Sequence, residues 1–374
     1  MDAFVFDALP GRVVFGAGSF DRVPDEIELL GGRRILLVAD TSGEAWADRL
    51  AAAIGDRLVG RIGDVRPHVP VERAAAAVDL AAGHAADLVV TIGGGSATGL
   101  GKAVALEVPI PILAIPTTYA GSEMTPIWGL TAGARKTTGR DPRVQPRTVV
   151  YDPVLTLSLP PAIAGPSGMN ALAHCAEALY AAGANPITSL MAEKGIRVLA
   201  CGLPRIVAAP GDLDARSEVL TGAYLAGASF AAAGSGIHHK ICHVLGGAFD
   251  LPHAEMHTVV LPQALAFVAP RVPDAIARMA AALGEEDVPG AVFDLAERIG
   301  APTALRAIGM PIDRLGEAAD LIVAAAGDGQ APVTVPAIRA LLEAAFEGRR
   351  PPGTHSSKPA RREMSLDPVS AQRV

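Results

Sequence analysis

Five of the nine histidines in this 374-residue chain fall within one stretch, "GSGIHHKICHVLGGAFDLPHAEMH", residues 234–257. His239 and His243 are four apart, as are His253 and His257, and Asn170 and His174 repeat the spacing in "SGMNALAHCAEAL". On a helix that spacing puts each pair on one face. Imidazoles gathered in this way can hold a divalent cation, donate hydrogen bonds to developing negative charge, or pass a proton near neutral pH. A hydrolytic zinc motif is excluded. "HKICH" has no Glu, and in "HAEMH" Glu255 stands two residues after His253 instead of one, on a different face.

A second group of residues has the chemistry of phosphate binding. "DLVVTIGGGSATGLGKAVAL" sets Gly93, Gly94, Gly95 and Ser96 between a strand and a helix. Glycines there let the backbone approach a pyrophosphate, and the free N–H groups of the helix start supply donors. Asp40 ends the run "RRILLVAD". A carboxylate at that strand tip either accepts hydrogen bonds from a ribose and repels a 2′-phosphate, or caps the next helix. "AIPTTYAGSEMT" offers Thr117, Thr118 and Ser122 beyond another strand tip, where ligands collect in open α/β sheets.

The elements that must position these groups divide the chain in two. Up to about residue 155, Val/Ile/Leu runs bounded by Gly, Pro or Asp ("GRVVFGAG", "RRILLVAD", "ADLVVTIGGG", "PILAIPTT", "RTVVYDP") alternate with Ala-rich helical segments such as "VERAAAAVDLAAGHAA". That pattern predicts a parallel sheet covered on both faces, an α/β Rossmann-like dinucleotide-binding domain over 1–160. Beyond residue 160, Ala-, Leu- and Glu-rich segments predict an all-α domain over 161–350 that carries the histidines. The Pro-rich, polar stretch 351–374 has no periodicity and reads as a mobile tail.

Composition narrows the partners. Half of the residues are apolar, yet no run approaches the ~18 uninterrupted apolar residues of a membrane span. "MDAFVFDALPG" lacks the basic segment and apolar core of a signal peptide, which places the expected location in the cytoplasm. Cys175, Cys201 and Cys242 have no CxxC spacing, against a disulfide framework or a thiolate zinc site. A net charge of −7 disfavours nucleic acid and anionic membrane as partners.

The GGGS loop, "IPTTYAGSE" and the order "NALAH … HHKICHVLGGAFDLPH" resemble the iron-containing, or group III, alcohol dehydrogenase superfamily, from about residue 10 to about residue 350. The resemblance implies the two-domain fold shared with dehydroquinate synthases, with a cleft between the domains. Metal-binding members use one Asp and three His, places that fall here on Asn170, His174, His239 and His253. An amide is uncharged and coordinates cations more weakly than a carboxylate, so a tightly held divalent metal is not expected. Many relatives also carry Asp at the place of Gly99.

Both departures, with "IPTTYAGSEMTPIWGLT" and "KTTGRDPRVQPRTVVYDP", are similar to the maleylacetate reductase branch. That likeness implies a homodimer that uses NADH, with NADPH secondary, to reduce the carbon–carbon double bond of 2-maleylacetate to 3-oxoadipate during aromatic degradation. His243 would be the proton donor, with His174, His239 and His253 beside it. Lys136, Arg140, His238 and Lys240, in or next to the motif segments, are candidate anchors for the substrate carboxylates. His257 has no place in the superfamily motif and is expected to tolerate alanine. The competing expectations are a metal-dependent alcohol or aldehyde dehydrogenase of the same superfamily, a dehydroquinate-synthase-like lyase, and a nucleotide-binding protein without catalysis.

Overall fold

Phe4, Phe6 and residues 11–133, 135–326 and 333–352 are described by a computed structural model. The expected tail lies outside them apart from Pro351 and Pro352. The strands are β1 Arg12–Phe15, β2 Ile35–Ala39, β3 Leu58–Ile62, β4 Leu88–Gly93, β5 Ile112–Pro116, β6 Ile127–Ala132, β7 Arg135–Arg140 and β8 Thr148–Tyr151. Between them run helices α1 Val23–Leu29, α2 Glu44–Ile54, α3 Val71–Gly83 and α4 Gly95–Glu107.

Six strands form one sheet in the order β1-β8-β5-β4-β2-β3, and every pairing in it is parallel. Alternate side chains of a strand face opposite ways. Ile35 and Leu37 of β2 therefore join Ile27, Leu50 and Ile54 under α1 and α2, while Leu36 and Val38 join Ala77, Leu100 and Val104 under α3 and α4. Both faces are covered, which is why the central strands read as unbroken apolar runs. From β2 the chain moves outward to β3, whereas from β4 it moves the other way to β5. The carboxyl ends of β2 and β4 thus flank the switch point where open sheets bind ligands.

β3 and the antiparallel hairpin β6–β7 did not show in the sequence pattern. β3, "LVGRI", is an edge strand, half-buried and broken by Gly60 and Arg61. In the hairpin Trp128 pairs with Gly139, and a Cβ on Gly139 would lie 2.5 Å from the indole, so the ring covers the bare glycine.

From residue 161 the described residues contain no strand. The helices are α5 Pro161–Ala178, α6 Pro186–Ala208, α7 Leu213–Ala233, α8 Ile237–Phe249, α9 His253–Val268, α10 Pro273–Leu283, α11 Val288–Arg298, α12 Leu315–Ala326 and α13 Val335–Glu347. α5 is the hub, buried continuously from Ala164 to Ala178 and packed against α6, α7 and α9. Polar residues inside such a helix are the informative ones.

The two halves are bonded together at the loop after β5. Tyr119 N–H donates to Ser167 Oγ at 3.0 Å, and the buried Arg216 guanidinium donates to Tyr119 Oη and to the Leu159 carbonyl, each at 3.1 Å. α7 approaches the same loop so closely that a Cβ on Gly227 would lie 2.5 Å from the Gly121 carbonyl oxygen.

Candidate active site

The cofactor side is built on the switch point. Asp40, directly after β2, does what the capping alternative required. Its Oδ1 accepts from the Ser42 and Gly43 N–H groups at 3.0 and 3.1 Å. Its Oδ2 accepts from Gly94 N–H at 2.7 Å, tying the two strand ends together. Gly93 has φ +151, and any Cβ there would run into this carboxylate. Glycine is therefore required at that position. Gly94 and Gly95 leave the start of α4 open. Thr118 flanks Gly94, whose added Cβ would be 3.1 Å from its Cγ2. Thr117 donates its N–H to the Gly93 carbonyl at 3.0 Å, and its buried hydroxyl is 2.8 Å from Ser42 Oγ.

Ser122 is held from below by a residue that the motif reading passed over. Lys102 of α4 is fully buried, and its Nζ donates to the carbonyls of Ser122, Thr125 and Ile127 at 2.7–2.8 Å. An ammonium so enclosed is tolerable only because it is surrounded by oxygens. Gly99, on the same helix, packs against Val69, with a built Cβ 2.9 Å from Val69 Cγ2. A larger residue at 99 would therefore have to displace the Val69 side chain.

The histidines come from three helices. α5 supplies Asn170 and His174, α8 supplies His238, His239 and His243, and α9 supplies His253 and His257. The His239 ring lies 5.0 Å from that of His174, 4.6 Å from Phe230 and 4.8 Å from His257. His253 stands 4.4 Å from His257, and His243 lies farther out, 6.1 Å from His239. His243 and His253 are exposed, whereas His174, His238, His239 and His257 are buried. Asn170 Oδ1, His174 Nδ1, His239 Nε2 and His257 Nε2 are all buried without a hydrogen-bond partner. Buried polar atoms are normally satisfied, so such orphans mark a place for water, substrate or a cation.

Behind the cluster sits Glu177, fully buried and absent from the motif reading. It lies on α5 seven residues after Asn170 and three after His174, on the same stripe of the helix. Its carboxylate accepts from Gly236 N–H and His238 N–H at 2.8 Å, and His239 Nδ1 is 2.5 Å away. Glu177 thereby caps α8 from another helix. Gly236 makes this approach feasible, since a Cβ there would meet Glu177 Oε1 at 2.8 Å. Burial alone would raise the Glu177 pKa. The charge and hydrogen bond of His239, with His238 and the Gly236 N–H, outweigh it and bring the value down to about 2.

The other imidazoles are held neutral. Burial, reinforced by the neighbouring His239, pulls His238 down to about 3, and burial carries His174 and His257 well below their ordinary range. His238 is consequently no cationic anchor: its Nε2 is bonded to His257 Nδ1 at 2.9 Å. Nor is His257 a bystander, because it is fully buried inside the cluster. Of the other proposed anchors, Arg140 donates to the Ala231 carbonyl at the end of α7, and Lys240 to the Ala326 carbonyl at the end of α12, both at 2.8 Å. Each is engaged where a cation complements a helix C-terminus. Lys136 lies in β7, and its side chain is outside the described residues.

Comparison with known proteins covers both halves. A family model described as "Iron-containing alcohol dehydrogenase" matches residues 10–153, and one described as "Fe-containing alcohol dehydrogenase family, C-terminal" matches residues 165–346. The chain is 52% identical to a maleylacetate reductase of Burkholderia cepacia, covering 94% of this chain and 100% of that protein. It is 50% identical to one from Sphingobium indicum, covering 93% and 99%. The crystal structure of maleylacetate reductase from Agrobacterium tumefaciens superposes with a TM-score of 0.88 at 45% identity, covering 94% of this chain and all of that one.

Proposed function

Because this chain belongs to the iron-containing alcohol dehydrogenase family, we propose that it reduces the carbon–carbon double bond of 2-maleylacetate with NADH, giving 3-oxoadipate. The observation that carries this reading is the end-to-end likeness to maleylacetate reductases. Residues 1–160 would bind the cofactor, residues 161–350 the reacting end of the substrate. A homodimer, a cytoplasmic location and a late place in aromatic degradation belong to the same reading and rest on the same likeness.

The glycine loop fits a dinucleotide. The start of α4 has no side chain over it at Gly94 and Gly95, and its first N–H groups are donors for phosphate oxygens. Asp40 would face the adenosine ribose, and Thr117, Thr118 and Ser122 would line the cofactor's other end. A bound NADH would supply a hydride to the alkene carbon farther from the ketone, with the alkene's electron pair taken up by the ketone oxygen as an enolate. His243 then gives a proton to the carbon next to the ketone. It is exposed, so solvent can reprotonate it. One NADH and one proton are consumed for each double bond reduced.

For the metal in the family's description, Asn170 Oδ1, His174 Nδ1 and His239 Nε2, with His253, are donor types that a divalent cation accepts. A cation held there would act as a Lewis acid on the ketone oxygen. The set carries no anionic atom, however, since Glu177 is spent on His239 and the start of α8. The proposal is therefore a weak cation site and a reaction that runs without it.

The test is NADH oxidation with freshly generated maleylacetate, with and without chelator, and identification of 3-oxoadipate as product. Turnover indifferent to chelator supports both parts. No NADH oxidation with maleylacetate, by enzyme that binds NADH, would overturn the substrate assignment.

A further inference from the structure

The proposed reaction leaves one buried cation without a task. Lys102 stands seven residues after Gly95 on α4, two turns inside the helix whose first N–H groups are assigned above to the cofactor phosphates. Its ammonium lies 2.7–2.8 Å from the carbonyl oxygens of Ser122, Thr125 and Ile127, with Thr125 Oγ1 at 3.1 Å and Ser122 Oγ at 3.3 Å. Three accepting carbonyls use all three N–H bonds, so the group is a charged ammonium. Burial draws its pKa down to about 7, opposed by the charge of Glu123, and the ring of oxygens favours the ammonium further. Carbonyl oxygens aimed at one point repel each other unless a cation stands between them. Residues 122–127 are therefore folded around the nitrogen much as a chain folds around a bound monovalent ion.

The same segment joins the two sides of the active site. It follows Thr117 and Thr118 at the end of β5. Gly121, with φ +75, lies against α5 and α7, where a built Cβ would meet His174 Nδ1 and Gly227 Cα at 3.3 Å. A shift of the segment thus moves Ser122 relative to the histidines. Asp40 and the start of α4 are tied to each other by bonds of their own, from Gly43 N–H and Gly94 N–H to the Asp40 carboxylate.

We propose that Lys102 is a positioning residue, an internal cation around which residues 122–127 set the nicotinamide end of the cofactor against the histidine site. This rests on the NADH-dependent reduction described above.

Lys102→Ala deletes the ammonium with three methylenes, and ethylammonium fits the space that they leave. Lys102→Met keeps most of the bulk and removes the charge and the donors. With maleylacetate, kcat should fall about 10²-fold in both variants, the loss that a misplacement of about 1 Å produces. ADP, which lacks the nicotinamide, should bind within about twofold of its affinity for the unmodified enzyme. Ethylammonium should restore at least about tenfold in kcat to Lys102→Ala and nothing to Lys102→Met, with tetramethylammonium at equal ionic strength inert because it has no N–H. ADP affinity that falls as far as kcat would mark a residue that merely supports α4, and overturns the proposal. So does near-normal kcat in Lys102→Met, or ethylammonium that restores no more than tetramethylammonium. If neither variant folds, Thr125→Val decides, since it takes one oxygen from the ring and keeps the shape of the side chain. Its kcat should fall at least about tenfold at unchanged ADP affinity, and normal kcat overturns the proposal. Should the unmodified enzyme not reduce maleylacetate, the function is at fault, and the role of Lys102 is read from NADH affinity, which ethylammonium should raise in Lys102→Ala.

Discussion

Replacing Glu177 by Gln removes a charge without changing shape, and the structure sets the size of the loss. The fall of the Glu177 pKa from 4.5 to about 2, at ~1.4 kcal/mol per pH unit, corresponds to roughly 3 kcal/mol of stability at neutral pH. Glu177 is fully buried, so solvent screening does not dilute this figure. A folded-state pKa below the unfolded one contributes stability that is complete above about pH 4.5 and fades as pH falls toward 2. In urea unfolding the Glu177→Gln protein should be about 3 kcal/mol less stable at pH 7, with the gap narrowing to about a third to a half of that at pH 3. Gln cannot satisfy His239 Nδ1–H and both backbone N–H groups of α8 at once, so turnover should fall with stability. A variant as stable as the parent at pH 7, or a gap that does not change with pH, would refute the assignment of a buried ionised carboxylate.

Three further outcomes are expected. Steady-state kinetics should favour NADH over NADPH by at least about tenfold, roughly 1.4 kcal/mol; Asp40→Asn, which keeps a capping oxygen but loses the charge, should narrow the preference, and a parent enzyme preferring NADPH would refute the role of Asp40. Elemental analysis of purified enzyme should find less than about 0.2 divalent metal per chain, with Asn170→Asp raising metal affinity; one iron or zinc per chain, with activity lost on removal and regained on return, would reject the weak site. His243→Ala should lose about 10²–10⁴-fold in kcat while NADH affinity changes little, and near-normal turnover would remove His243 as proton donor.

The sequence made visible whatever was written locally. β2, β4, β5 and β8 announced themselves because strands buried on both faces need apolar side chains at every position. β3 did not, since an edge strand is only half-buried and can carry Arg61 facing water and a bare glycine, Gly60, against Leu36 and Leu80. The four-residue spacings placed His174, His239 and His253 on helices that the fold then brought together. What spacing cannot disclose is which polar residue is buried. Lys102 and Glu177 look like ordinary helix-surface residues in "GLGKAVAL" and "AHCAEAL", and only the packing around α4 and α5 removes them from solvent. The stripe 170–174–177 was the one local clue to Glu177. His257 misled for the same reason: a motif says which positions recur, whereas the bond to His238, nineteen residues away, is made by the packing of α8 against α9.

That stripe also explains why a neutral front to the site suits this reaction. α5 presents Asn170, His174 and Glu177 in succession, and among these three only the last is ionised, behind His239 and away from the orphaned polar atoms. Reducing a carbonyl directly leaves an alkoxide, with its charge localised on one oxygen, and there a cation with an anionic ligand gives strong electrostatic stabilisation. Hydride addition to the alkene of an enone leaves an enolate, whose charge is shared between oxygen and carbon and is less basic at the oxygen. Hydrogen-bond donors of the oxyanion-hole kind, each worth about 3 kcal/mol in a site closed to water, then stabilise the charge that develops. The proton that completes the reaction goes to carbon, which calls for a donor open to solvent, such as His243.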